Sequence, residues 1–264
     1  MISLLGNRVI EGLRDVGGLS LFFVECLTIF FRRGTNLGQV LEQMYVVGVR
    51  SLSTTVVTGL FVGAIMAVQI NLELRDFGAQ GFLGGLATSV TIRNVGPVLI
   101  AFILSGKVGA YTSAELGTMR VTDQIDAIRC LGTDPIEYLI VPRMVAVVFS
   151  SFLLLVVGLM MTIGGGLSIA SLHLGVNSLN YTHNIPHFVS WWSVGIGVLK
   201  SFLFGLIIAV ISCYRGYTAS GGAKGVGATV KRTSVETLVS IIVVDYTTSL
   251  LCTFLLSLLG VGGT

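Results

Sequence analysis

The sequence predicts an all-α integral membrane protein with five transmembrane helices. Of its 264 residues, 53% are hydrophobic and only 11% are charged, whereas soluble domains carry roughly 25% charged residues. Long uninterrupted apolar runs indicate helices, because a transmembrane β-barrel would show alternating segments of about ten residues. Gly is abundant at 34 residues and Pro scarce at 4, a balance that suits helices packed closely through small residues.

The first element is predicted to be an interfacial helix over residues 3–31. Its first half carries an apolar stripe opposite a charged stripe, formed by Leu5, Val9, Leu13 and Val16 against Arg8, Glu11 and Arg14. The apolar run that follows, residues 19–31, contains Glu25 and is shorter than the roughly 20 residues needed to span a bilayer. We expect this helix to lie in the cytoplasmic interface, with Glu25 at interface depth, or to dip into the leaflet and return.

Five apolar stretches then predict transmembrane helices over residues 44–72, 85–113, 144–172, 190–214 and 235–259. The second stretch must hold Arg93 within the membrane region, because the uncharged segment between Arg93 and Lys107 is too short to span by itself. Three successive glycines in the third stretch, residues 164–166, predict a close helix contact or a kink. Trp191 and Trp192 open the fourth stretch, where an interfacial aromatic belt is expected.

Two connections between these helices have a distinctive composition. Residues 173–189 are polar and predict a loop, in which His173, His183 and His187 lack the spacing of a metal site. Residues 220–225 are rich in Gly and predict a turn between the fourth and fifth helices. They lack the spacing of a GxxxxGK[ST] phosphate loop.

Lys and Arg lie mostly on one side of this predicted topology. If the N-terminus is cytoplasmic, the outer loops hold only Arg75, and the inner segments hold Arg8, Arg14, Arg32, Arg33, Arg50, Arg120, Arg129, Arg143, Arg215, Lys224, Lys231 and Arg232. The positive-inside rule therefore predicts a cytoplasmic N-terminus, and five spans then place the C-terminus in the periplasm.

Residues 115–135 form a charge-rich amphipathic segment between the second and third predicted spans. Apolar positions recur at helical spacing beside a polar face: Leu116, Met119, Ile125, Ile128 and Leu131 against Arg120, Asp123, Gln124, Asp126 and Arg129. Thr122 is predicted to cap the helix, and Gly132 followed by Pro135 to end it. Two interpretations fit, an ordinary solvated loop helix and a coupling helix that docks in a groove of a soluble partner.

The chemistry that the chain lacks is also informative. It has no GxxxxGK[ST] phosphate loop, so an ATPase that drives it must be a separate polypeptide. No catalytic residue, cofactor or metal site is predicted, because neither a G-x-S-x-G elbow nor a His/carboxylate group is present. The four cysteines are scattered and predicted to be small buried hydrophobes. A net charge of only +3 does not indicate the strongly basic surface that nucleic-acid-binding proteins present.

Three blocks of sequence carry a resemblance to a known family. They are Ile92-Arg93-Asn94-Val95-Gly96-Pro97, Ser105-Gly106-Lys107-Val108-Gly109, and the run from Ala114 to Ile125. These blocks resemble the MlaE/YrbE family of ABC permeases, which work with MCE proteins in lipid transport, and the likeness covers nearly the whole chain. The resemblance implies a homodimeric permease in the bacterial inner membrane that moves phospholipid. It also implies two MlaF-like ATPase subunits that hold ATP and Mg, an MlaD-like MCE protein in the periplasm, and a small accessory subunit.

The resemblance also implies site residues. The positions that match the family's lipid cavity are Met66, Gln69, Leu74, Phe77, Arg93 and Asn94. The ATPase-coupling role falls on Glu115, Gly117, Met119, Arg120, Asp123, Gln124 and Ile125. Asn94 departs from the family pattern, which often has Glu at this position, so the intramembrane cation has lost its adjacent carboxylate.

Charges inside the predicted spans allow more than one interpretation. Arg93 either contacts a lipid headgroup in a cavity or extends to the periplasmic interface. Lys200 and Asp245 are predicted to neutralise each other across the fourth and fifth spans. Two other function classes compete with a permease, a membrane-embedded lipid-modifying enzyme and a passive scaffold. The enzyme would need a nucleophile with its base or a metal cluster, and the scaffold would not need a coupling helix.

Overall fold

The protein is a bundle of membrane-spanning helices. A computed structural model describes residues 2–258, without the side chains of residues 2–13 and 256. Within that range the regular secondary structure is entirely helical. Five segments, which we call spans 1 to 5, are long and apolar enough to cross a membrane: Leu37–Asp76, Gln80–Val121, Ile136–Leu172, Trp191–Tyr217 and Gly222–Leu255. The predicted all-α membrane fold with five spans is confirmed.

Among residues 2–258, three further helices lie outside the spans. The N-terminal helix covers Ile2–Arg33, against a predicted 3–31. The connecting helix, Gln124–Cys130, lies between spans 2 and 3, and the cap helix, Ser178–Phe188, lies between spans 3 and 4. Because the spans alternate in direction, these two short helices mark opposite ends of the bundle. We call the ends the connecting-helix face and the cap-helix face.

Spans 1 to 3 are not uniform α-helices. Their α-helical parts are Leu37–Met44, Arg50–Asp76, Leu83–Val90, Gly96–Leu104, Ala110–Val121 and Val141–Leu172. Single π-helical turns interrupt or precede these parts at Tyr45–Val49, Thr91–Val95, Ser105–Gly109 and Ile136–Ile140, and a 3-10 turn occupies Gln80–Phe82. Such π turns are rare and occur frequently at functional sites.

The helices extend beyond the predicted apolar stretches. Span 5 begins at Gly222 instead of residue 235, and its helix continues to Leu258. Span 2 runs to Val121 instead of residue 113. Hydropathy detects only the part of a helix that lies in hydrocarbon, whereas the hydrogen-bonded helix continues through polar turns into the headgroup region and water. The additional turns place charged residues on rigid helices instead of loops.

Glycines bring spans 1 and 3 into backbone contact. A Cβ atom built on Gly63 would overlap the carbonyl oxygen of Thr162, and one built on Gly165 would overlap that of Leu60. Lipid supplies no hydrophobic driving force between helices, so close approach through small residues provides the packing energy instead. The close contact predicted for residues 164–166 is confirmed at Gly165, within the continuous helix of span 3.

The main buried cluster joins the N-terminal helix to all five spans, with Val47 from span 1 and Ile241 from span 5. Phe22 and Cys26 of the N-terminal helix contact this cluster, which also contains Cys213 of span 4. The first half of the helix, including Leu5, Val9 and Leu13, lies outside the described side chains. Burial of Cys26 and Cys213 agrees with the prediction for cysteines, but Cys130 is exposed. That prediction was wrong for Cys130 because it lies at the end of the connecting helix, where no other element covers it.

The cap helix replaces a segment that was predicted to be a loop. The side chain of Asn177 caps it by accepting a hydrogen bond from the Leu179 backbone N–H at 2.9 Å. Tyr181 is only 2% exposed and lies in a small buried cluster with residues of spans 2 and 3. The backbone of Tyr181 touches Gly84, where a Cβ would overlap its carbonyl oxygen. Packing on span 2 thus stabilises a helix that polar composition alone did not reveal.

The contact between spans 1 and 3 generates a test with neighbouring glycines. Gly165→Ala is expected to lower the free energy of unfolding by about 1–3 kcal/mol, because the new methyl group meets backbone that has no room to move. Gly164→Ala is the matched control, since the only atom near its Cβ is Leu60 Cδ2 at 3.9 Å. Thermal unfolding in detergent, followed by size-exclusion fluorescence, compares the two variants, and equal melting temperatures would contradict the backbone contact.

Candidate coupling and substrate sites

The connecting helix is shorter than the predicted segment 115–135. Residues 115–121 continue span 2, and only Gln124–Cys130 form a separate helix. Between the two helices the chain reverses through Asp123, whose φ of 59° is left-handed. Thr122 therefore ends span 2, and the prediction that it caps the following helix was wrong. The left-handed residue that turns the chain occupies the capping position instead.

Gly132 ends the connecting helix as predicted. Its φ is 78°, and its N–H donates to the carbonyl of Arg129 at 2.9 Å, while Thr133 N–H donates to that of Ile128 at 3.4 Å. This pair of bonds is the Schellman arrangement, which requires a residue that tolerates a left-handed backbone. The side chain of Asp134 then accepts from Ile136 N–H at 3.0 Å and starts span 3.

Polar contacts attach the connecting helix to the bundle. Arg120, at the end of span 2, pairs with Asp126 at 2.7 Å. Arg129 donates a hydrogen bond to the hydroxyl of Tyr217, at the end of span 4, at 2.6 Å. Ile125 is 0% exposed. The connecting helix is therefore in contact with the ends of spans 2 and 4.

The predicted coupling residues divide between inward and outward positions. Gly117 and Ile125 are buried, and a Cβ on Gly117 would lie 3.3 Å from Ala219 Cβ, so Gly117 permits helix packing. Glu115, Met119 and Arg120 are half-buried, whereas Asp123 and Gln124 are exposed. Leu131, from the predicted apolar stripe, is 83% exposed. The outward-facing surface thus includes Asp123, Gln124 and Leu131, together with Arg129 and Cys130.

Glu115 forms an ion pair between spans 2 and 3, the two spans that flank the connecting helix. Arg143 of span 3 donates to Glu115 Oε1 of span 2 at 2.9 Å, and the Arg143 side chain is only 4% exposed. Removing one partner of a buried pair leaves an uncompensated charge, so this ion pair resists separation of spans 2 and 3. Sequence reasoning placed Arg143 among the inner cations but did not predict its partner, which lies 28 residues away.

A second charge network ties the N-terminal helix to spans 4 and 5. Arg215 binds Glu236 through two hydrogen bonds, of 2.6 and 2.8 Å, and approaches Asp15 at 3.3 Å. Arg232 contacts both carboxylates. Burial of Asp15 opposes its ionisation, but hydrogen bonds and charges from Arg215 and Arg232 outweigh that effect and hold the pKa of Asp15 below its usual range. This network was not predicted from the sequence. The clustering of cations on one side of the predicted topology was the only sequence feature that pointed to it.

The predicted substrate residues occupy two separate elements. Met66, Gln69 and Leu74 lie on span 1, and Phe77 follows its end. Leu74 packs against the small buried cluster that contains Tyr181, so it has a packing contact within this chain. Gln69 is exposed on the surface of the span, and Phe77 is 82% exposed.

Arg93 and Asn94 lie in the π-helical turn Thr91–Val95 of span 2. Arg93 is half-buried and Asn94 is exposed. The cavity and interface interpretations of Arg93 both stay predictions. Lys200 of span 4 stabilises this turn by donating a hydrogen bond to the Arg93 carbonyl oxygen at 3.0 Å.

Lys200 links three spans through one ammonium group. Its side chain is 0% exposed and pairs with Asp245 of span 5 at 2.7 Å. It also donates to Ser249 Oγ at 2.8 Å. The predicted neutralisation of Lys200 by Asp245 is confirmed. The Lys200 ammonium also donates to the Arg93 carbonyl oxygen. Lys200 therefore helps to position the π turn that carries Arg93 and Asn94, in addition to neutralising Asp245.

The histidines of the predicted polar loop lie on or beside the cap helix. His183 and His187 have ring centroids 5.8 Å apart, and His173 follows the end of span 3. Across the part of the chain that the structure describes, no group of three or more His, Cys, Asp or Glu residues comes together as a metal site.

Comparison with known proteins finds a family and several relatives. The family described as Permease MlaE matches residues 40–251. A probable ABC transporter permease protein of Synechocystis is 37% identical over 238 residues, which cover 86% of this chain and 90% of that protein. One from Rickettsia felis is 34% identical over 242 residues, covering 92% and 93%. The Arabidopsis thaliana chloroplastic protein Trigalactosyldiacylglycerol 1 is 34% identical over 210 residues, covering 79% and 60%.

The Lys200–Asp245 pair generates a test by double substitution. Lys200→Met leaves Asp245 without its partner inside the bundle, and a loss of about 3–5 kcal/mol in stability is expected. Lys200→Met combined with Asp245→Leu removes both charges and is expected to recover at least half of that loss. Thermal unfolding of purified protein in detergent measures the difference, and a double variant no more stable than the single one would show that the charges do not depend on each other.

Proposed function

Because this chain belongs to the MlaE permease family, we propose that it is the membrane-spanning subunit of an ABC transporter for phospholipid. It is noncatalytic and exchanges phospholipid between the bacterial inner membrane and an MCE-domain protein. A separate MlaF-like ATPase subunit, which holds ATP and Mg, supplies the energy. The permease acts as a homodimer, and a small accessory subunit completes the complex.

The connecting helix carries the coupling part of this proposal. Asp123 and Gln124 are exposed at its N-terminal end and Leu131 just after its C-terminal end, and a short helix with an exposed apolar residue suits a groove on a partner protein. Arg120–Asp126 and Arg129–Tyr217 attach the helix to spans 2 and 4. Force that an ATPase applies to the connecting helix would therefore reach spans 2 and 4 through these contacts.

Charge asymmetry supports the orientation. Arg120, Arg129, Arg143 and Arg215 lie at the connecting-helix face, so the positive-inside rule makes this face cytoplasmic. The N-terminal helix then lies on the cytoplasmic side, and the C-terminal end of span 5 lies toward the periplasm. The cap-helix face is the one available to an MCE-domain protein.

Exposed polar groups within the spans support a homodimer with an internal cavity. Gln69 of span 1 and Asn94 of span 2 are both exposed on the single chain. Polar side chains at membrane depth normally face protein or a water-filled cavity, because contact with hydrocarbon is costly. A second copy that covers these spans would enclose them near Arg93, whose cation suits a lipid phosphate. One relative is named after a glycolipid, trigalactosyldiacylglycerol, which agrees with a lipid substrate.

The competing functions have less support. A membrane-embedded lipid-modifying enzyme would need an assembled nucleophile and base or a metal cluster, and the described residues form no candidate cluster for a metal. A passive scaffold would leave the firmly attached connecting helix without a role.

Leu131→Asp tests the coupling proposal. Placing a charge at this exposed apolar position is expected to reduce ATPase co-purification from detergent-solubilised membranes at least about tenfold, the loss typical of a residue central to an interface. Leu179→Asp is the matched control, since Leu179 is 75% exposed on the cap helix at the opposite end. Mass spectrometry of the co-purified proteins provides the measurement.

The same preparations separate the parts of the proposal. If Leu131→Asp protein elutes like the wild type from size-exclusion chromatography and still co-purifies with the ATPase unchanged, the docking proposal would be contradicted. Wild-type protein is expected to retain an MCE-domain protein and phospholipid, identified by mass spectrometry. If the protein retains an ATPase but neither an MCE-domain protein nor phospholipid, its assignment as an ABC permease would stand. The phospholipid and MCE assignments would then be contradicted.

A further inference from the structure

A small cavity separates spans 1 and 2 near the connecting-helix face. It has a volume of about 110 Å³ and is lined by Val46, Val47, Arg50, Ser51, Lys107, Val108 and Tyr111. We call it the Lys107 pocket. Two of the four π-helical turns contribute to its walls, Tyr45–Val49 from span 1 and Ser105–Gly109 from span 2. Because π turns concentrate at functional sites, their meeting at one cavity is the first indication of a binding role.

The pocket combines apolar walls with two cations. Val46, Val47 and Val108 form apolar surface, and Arg50 and Lys107 supply positive charge. A cavity of about 110 Å³ is smaller than the roughly 300–1,000 Å³ of a typical small-molecule site, so it could hold only the phosphate and the adjoining atoms of a larger ligand. A phospholipid has the matching composition, with methylene groups next to a phosphate that Arg and Lys recognise through charge-assisted hydrogen bonds.

Lys107 retains donor capacity in this arrangement. Its ammonium group donates to the Arg50 carbonyl oxygen at 2.7 Å and to Thr54 Oγ1 at 2.6 Å. An ammonium has three donors, so one remains. These two bonds hold the ammonium in place at the pocket while leaving its charge uncompensated, since both acceptors are neutral.

The cations of the pocket differ from three buried cations of the bundle. Lys200, Arg143 and Arg215 each pair with a carboxylate. Among the side chains that the structure describes, no carboxylate lies within 4.0 Å of the charged atoms of Arg50 or Lys107. The carboxylate nearest along span 2, Glu115, is bound by Arg143 through Oε1, and its Oε2 has no hydrogen-bond partner among the described residues. An anion from outside the chain would supply the missing charge.

The depth of the pocket matches the phosphate layer of a membrane. Residues 51–72 of span 1 carry no charge, and at about 1.5 Å per residue such a run covers roughly the 30 Å of a hydrocarbon core. Arg50 directly precedes this run and therefore lies at its edge, on the side of the connecting-helix face. A phosphate bound there belongs to that leaflet, whereas the turn with Arg93 lies farther along span 2.

We infer that the Lys107 pocket binds the phosphate of an anionic phospholipid from the leaflet at the connecting-helix face. Arg50 and the remaining donor of Lys107 contact the phosphate, and the valines contact the adjoining methylene groups. This site is separate from Arg93 and Asn94, and it depends on membrane insertion and not on an ATPase partner. Lipid headgroup and free phosphate share this chemistry, but the apolar walls and the membrane depth favour the lipid.

Native mass spectrometry of purified protein with dioctanoyl phosphatidylglycerol tests the site. Arg50→Gln removes the more exposed cation, and Val46→Phe fills the pocket without changing charge. Each is expected to weaken binding about tenfold, Arg50→Gln because it removes a charge-assisted contact and Val46→Phe because its larger side chain excludes the ligand. Arg50→Lys is expected to retain most binding and shows that position 50 needs charge. Arg32→Gln is the control, because Arg32 is an exposed cation of the N-terminal helix outside the pocket.

Several results would overturn the inference. Equal loss of binding in Arg32→Gln protein would indicate general surface charge, and full binding by Val46→Phe protein with native elution would place the lipid elsewhere. Inorganic phosphate that displaces the lipid at equal concentration would indicate a free-anion site. Dioctanoyl phosphatidylcholine bound as tightly as phosphatidylglycerol would remove the requirement for an anionic lipid. Leu131→Asp protein is expected to bind the lipid normally, so failure of ATPase docking and failure of this site are distinguishable.

Discussion

Backbone contact between spans 1 and 3 is the constraint on which the rest of the bundle depends. Gly63 and Gly165 bring the two helices close enough that a single added methyl group would overlap a carbonyl oxygen. In lipid, helices gain little from burying apolar side chains against each other, so close packing of small residues must hold them. Span 3 then packs against span 4 at Gly205, whose Cβ would lie 3.1 Å from the Val148 carbonyl oxygen.

Ion pairs fix the position of one span along its neighbour. Glycine contacts tolerate sliding of one helix along another, but a buried cation must meet its carboxylate, since an unpaired charge inside the bundle is costly. Arg143–Glu115 sets span 3 against span 2, and Lys200–Asp245 sets span 4 against span 5. Through its bond to the Arg93 carbonyl, Lys200 also supports the π turn of the proposed substrate site. The connecting helix lies at the end of elements that such pairs hold in place.

Sequence patterns predicted those features that depend on neighbouring residues. Hydropathy located five spans, Gly132 ended the connecting helix, and the glycines at 164–166 predicted a close contact. The cap helix was missed because its polar residues show no apolar stripe, and it is stabilised by packing of Tyr181 against span 2. Apolar periodicity runs through segment 115–135 without a break, and it does not detect the single left-handed residue, Asp123, that divides the segment between two helices.

The sequence by itself determined that this chain spans a membrane five times and collects its cations at one end, because both follow from composition along the chain. Tertiary structure decided most of the charge pairing, since Lys200–Asp245 is the one pair that was predicted from the sequence. Arg143 and Glu115 are 28 residues apart, and Arg215 meets Asp15 across 200 residues. Whether a charge has a partner depends on distances between helices, which no local pattern contains. That difference separates the structural cations from Arg50 and Lys107, whose charges the described side chains leave uncompensated.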